Sequence, residues 1–144
     1  MSVALLYLLF FLSGLSGIAY EVIWAKGFAS GLGHELPATL AVVTAFLGGM
    51  ALGAWAFDGP ISRSARPGLW YAGLEFLIAA WACVAFRVFP SAIDVGVSAL
   101  GVSPPFLLHW GVAFGVPFVV LLPLTVALGA SFPCLLYTSD AADE

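Results

Sequence analysis

The sequence predicts an all-α, polytopic membrane protein built from four transmembrane helices. Three observations carry that prediction. Hydrophobic residues fill 62% of the 144 positions and charged residues 8%, whereas roughly a quarter of the residues in soluble domains are charged. The apolar residues are gathered into long runs of about the 20 residues that a helix needs to cross a bilayer. Small residues recur at four-residue spacing inside two of those runs, as they do where helices approach closely in lipid. Length divided among such spans and short loops leaves room for four helices and for no separate soluble domain.

The first helix is predicted at about 3–26. It is uncharged from Val3 to Tyr20, then meets Glu21, with Trp24 and Lys26 following as interface anchors. Ser13 and Gly17 share one face and form a helix-packing pair, with Gly14 and Ser16 beside them. An ionisable group at the end of a span is costly unless it faces helices or water, which makes Glu21 a candidate functional residue. The alternative is that it marks the wet end of the helix.

A turn is expected over 27–37, loosened by Gly27, Gly31 and Gly33, with Pro37 in the first turn of the next helix. His34 and Glu35 are adjacent but bring no third ligand, so a solvated loop pair is preferred to a metal site. The second helix, about 38–57, is uncharged and holds Gly49 and Gly53, a G-x-x-x-G packing pair. The connection Asp58 to Pro67 carries Arg63 and Arg66. The positive-inside tendency assigns it, and with it the N-terminus, to the cytoplasm.

The third helix, about 68–89, opens with the interface anchors Trp70 and Tyr71 and buries Glu75, the second candidate functional carboxyl. Glu21 lies about 18 residues into its helix and Glu75 about 7 into a helix running the same way, so at 1.5 Å per residue they differ by roughly 16 Å in depth and should not meet. Glu21 is expected toward the outer face, near Lys26, Arg87 and His109. Glu75 is expected in the inner half, level with Gly49 to Gly53 and with Thr125. With no cation at that level, the neutral acid bonded to a hydroxyl or carbonyl is favoured. Residues 90–105 read as an outer loop with a short surface helix over 91–100. The fourth helix, about 106–129, contains Pro117 and Pro123, which membranes tolerate when neighbours satisfy the freed carbonyls.

Four strings carry a resemblance. They are S-G-x-x-x-x-x-Y-E-x-x-W-x-K from Ser13 to Lys26, F-L-x-G-x-A-L-G from Phe46 to Gly53, Glu75 near the start of the third helix, and Leu122 to Pro133 in the fourth. In order and spacing they resemble the N-terminal transmembrane domain of spermidine-synthase-like (polyamine aminopropyltransferase-like) integral membrane proteins. Lys26, Leu128 and Ser131 stand where that family usually has arginine, methionine and threonine, and lysine loses a bidentate contact while keeping the charge. The resemblance implies a role in anchoring a C-terminal aminopropyltransferase-like domain, with polyamine biosynthesis as the parent's activity. The residues for that chemistry would lie beyond this chain.

Residues 134–144 match, residue for residue, one reading frame of a common transposon-based sequencing adapter and place three acids in the last five positions. The expectation is therefore a transmembrane domain over 1–133, a non-native tail over 134–144, and a native protein that continues past Pro133. No catalytic triad, Walker loop, zinc set or dinucleotide fingerprint is present, so no catalytic residue, metal or cofactor is assigned to this stretch. Four scattered cations cannot make a nucleic-acid footprint. The expected partners are the lipid bilayer, of bacterial inner-membrane type, and the chain's own missing C-terminal region. A transporter-like domain using an intramembrane carboxylate, or a purely structural anchor, are the alternative functions.

Overall fold

A computed structural model describes residues 3–32 and 35–143. They form four helices, α1 (Val3–Leu32), α2 (Glu35–Ser62), α3 (Pro67–Leu100) and α4 (Phe106–Asp143). All four are long and apolar enough to cross a membrane. Their connections are short, so the helices alternate in direction: α1 and α3 run one way, α2 and α4 the other. The main contact is between the parallel pair α2 and α4; α3 packs on α4, and α1 rests chiefly on α2.

Each helix outruns its predicted boundary, for identifiable reasons. Gly27 and Gly31 continue α1 where a turn was expected, because they make room for side chains of α3. A methyl on Gly27 would lie 2.9 Å from the Phe89 ring, and one on Gly31 2.7 Å from Ile93. His34 and Gly33 lie outside the described residues. Helix α3 passes through Pro90 and absorbs the expected surface helix, since Phe89 and Ile93 hold it against α1 on both sides of the proline. One lost backbone bond is a small penalty against that packing. Gly101, with φ of 62°, ends α3 in the left-handed conformation that glycine adopts freely, and its N–H bonds the Val97 carbonyl. Helix α4 passes Pro117, Pro123 and Pro133, burying Cys134 completely, and Tyr137 donates to Asp58 at 3.0 Å.

The core lies along α4, where Leu121, Leu124, Thr125 and Ala130 are almost wholly enclosed. By contrast α1 and α3 leave most of their apolar surface uncovered, Phe11, Ile18, Phe76 and Phe86 among it. In water such faces would aggregate; in a bilayer they meet lipid at no cost.

Candidate functional site

The site begins with a constant register between α1 and α3. Ser13 pairs with Glu75, Gly27 with Phe89 and Gly31 with Ile93, each pair 62 positions apart. Two parallel helices in contact keep such an offset because each residue adds the same rise to both. At the upper end the contact is aromatic, with Trp24, Phe28 and Phe89 packed at centroid distances of 4.9–6.3 Å. At the lower end it is polar. The Ser13 hydroxyl donates to Glu75 Oε1 at 2.6 Å, partly buried. The Tyr71 hydroxyl, one turn before Glu75 on α3, is in interaction range of both groups.

Several sequence expectations change here. Trp24 is 6% exposed and belongs to the core instead of a lipid-facing belt, because Phe89 of α3 covers it. Tyr71 is likewise buried, 7% exposed, while its neighbour Trp70 remains outside against Phe57. Glu21 lies close to the middle of the apolar stretch Tyr7–Gly31, half-buried. The helix simply continues past Lys26, which is exposed. Glu75 is not level with Gly49 and Thr125 but one to two turns further toward the α2–α3 connection, level with Ser13 and the neighbourhood of Ser131. The register sets Glu21 level with Cys83, about 12 Å along the axis from Glu75. The two carboxyls do not touch.

Ser13 also lines a cavity of about 100 Å³ between α1, α2 and α4, shared with Glu21, Gly17 and Ser131. Gly17 approaches Leu128 there, a methyl on it falling 3.6 Å from that side chain. Gly49 and Gly53 face α4. Gly49 leaves space for Thr125, and Gly53 lies against the Val126 carbonyl and Ala130. Reciprocally, Gly129 lies against the Met50 carbonyl.

That reciprocity has a sequence source. Ala51-Leu-Gly-Ala54 in α2 repeats as Ala127-Leu-Gly-Ala130 in α4, and the two copies are separated by the same number of positions as Gly49 and Thr125, which pack together. Each glycine faces the carbonyl just before the other copy. The contact is locally two-fold, of the close-backbone type in which Cα–H groups approach carbonyl oxygens. Comparing α2 with α4 for the repeated tetrapeptide would have disclosed it.

Trp81 is a second residue that sequence reading overlooked. Its Nε1–H donates to the Val120 carbonyl at 3.0 Å. Pro123 cannot bond the neighbouring Val119 carbonyl, so Trp81 supplies polar contact where the α4 ladder is interrupted. Its signal was an indole on the α4-facing side of α3, in line with Leu74 and Ile78.

Among the described residues no group of three or more His, Cys, Asp or Glu is placed to hold a metal ion. No family model, curated protein or solved structure matches the chain.

Proposed function

We propose that the chain is the membrane-embedded N-terminal portion of a spermidine-synthase-like protein, anchoring a C-terminal aminopropyltransferase-like domain. The observation that carries the reading is that the family-like strings are also the residues of helix contact. Ser13 and Glu75 join α1 to α3, Gly49 and Gly53 join α2 to α4, and Gly129 completes the latter pair. Small residues at those spacings serve close helix contact, which lipid exposure alone does not call for. The exposed Arg63 and Arg66 between α2 and α3 support a cytoplasmic position for that connection and for the N-terminus, in a bacterial-type inner membrane.

Sequencing the source gene past Pro133 tests the reading. A soluble domain with a glycine-rich nucleotide loop supports it, and further spans without one overturn it. In the second case the transporter-like alternative gains, since Glu21 and Glu75 both lie within spans. Glu75→Gln would then abolish uptake while leaving expression intact. Enzyme fusions at the Arg63–Arg66 connection report orientation separately.

A further inference from the structure

Ser13 belongs to two environments. Its hydroxyl hydrogen is committed to Glu75, yet the residue also borders the cavity that Glu21 and Ser131 line. The Ser131 hydroxyl donates to the Leu128 carbonyl at 2.6 Å, so both serine oxygens have lone pairs left for the cavity. A cavity of about 100 Å³ has room for several waters, one needing roughly 10–15 Å³. The walls are mostly apolar, Phe46, Met50 and Leu128 among them, and the Glu21 carboxyl with the two hydroxyls are the polar partners that water would have there.

Among the described residues that line the cavity there is no Lys, Arg or His. Around Glu75 stand Ser13 from α1 and Tyr71 from α3 itself. Helix α2 contributes Phe46 and Met50 to the cavity wall and nothing ionisable. Lys26 lines a different opening with Thr39, and Arg87 another with Tyr20 and Cys83.

We propose that Glu21 and Glu75 form a two-carboxyl proton-binding unit, in which Glu75 exchanges its proton with the hydrated cavity through the Ser13 hydroxyl. In the inward step the Ser13 proton passes to Glu75 Oε1 as the Ser13 oxygen takes a proton from a cavity water. That water is reprotonated from Glu21. Ser13 ends neutral, Glu75 has gained one proton and Glu21 has lost one. The roughly 12 Å between the carboxyls is bridged by water and a single hydroxyl, not by direct transfer. The proposal is independent of what the domain anchors.

The test is infrared spectroscopy of the whole chain in lipid nanodiscs, following the neutral carboxyl band as H₂O is exchanged for D₂O. Glu75→Gln assigns the band by its loss. Ser13→Ala is expected to slow deuteration of that band by about an order of magnitude. Gly14→Leu should do the same by filling the cavity, since a side chain at Gly14 meets no atom within 4 Å and leaves the Ser13–Glu75 bond intact. Glu21→Gln should also slow it. Absence of any neutral carboxyl band removable by Glu75→Gln across a pH titration would overturn the proposal. So would wild-type exchange in both Ser13→Ala and Gly14→Leu, each still folded with wild-type helix content.

Discussion

Ser13 and Glu75 are joined at 2.6 Å across two parallel helices, and the same offset of 62 positions recurs at Gly27–Phe89 and Gly31–Ile93. A single hydrogen bond thus shares its register with an aromatic contact near the other end of the helices. The bond fixes the rotation of α1, since turning α1 away would leave the Glu75 carboxyl in hydrocarbon without its donor.

Ser13→Ala should therefore destabilise the bundle by about 0.6 kcal/mol and by no more than ~1.7, the average and the maximum measured for interhelical hydrogen bonds in a membrane protein. Reversible unfolding in mixed micelles measures it. An unchanged midpoint would mean that Tyr71 alone satisfies Glu75.

The α2–α4 contact predicts an asymmetry among glycines. Gly53→Ala sets a methyl against the Val126 carbonyl, a backbone atom that cannot rotate away, and should cost at least ~1–3 kcal/mol, as overpacking does. Gly73→Ala meets open space on α3 and should be neutral or stabilising by up to ~1 kcal/mol, because alanine is the better helix former. Thermal unfolding of the two variants side by side tests this, and equal effects would refute the close backbone approach.

At Gly27 the obstacle is the Phe89 ring, a side chain. Gly27→Ala should be destabilising alone but much less so with Phe89→Leu, giving a coupling energy of roughly 0.5–3 kcal/mol in a double-mutant cycle. Additivity would mean that the ring and the glycine do not meet.

Trp81→Phe keeps the packing and removes the donor to the Val120 carbonyl. A loss of about 1 kcal/mol is expected from the same bilayer range, together with faster amide exchange in α4 near Pro123. Exchange mapped by mass spectrometry decides whether the indole supports the interrupted ladder.

The number of helices and their chemistry were legible in the sequence because both follow from local quantities, the lengths of apolar runs and the spacing of small residues. The boundaries were not. Pro90 and Gly27 ordinarily signal an ending, and here both are overruled by one contact between helices, Phe89 of α3 against Gly27 of α1. The carboxyls show the same division. That Glu75 needs a hydroxyl or carbonyl partner followed from desolvation alone, but that the partner is Ser13 depends on a register between two helices that no local pattern encodes. The burial of Trp24 and Tyr71 was not legible for a related reason: an aromatic residue near a span end suits lipid and the bundle interior equally well, and only the adjacent helix decides.

The pairing of α2 with α4 also sets an order of assembly. The ribosome delivers Gly49 and Gly53 to the bilayer long before it makes Gly129, so the second helix must wait, unclasped, while the third is threaded in. Ser13 waits in the same way for Glu75. Until the last helix arrives, the growing chain holds its most intimate surfaces open to lipid, and a translocon or chaperone that shields small-residue grooves would act in that interval.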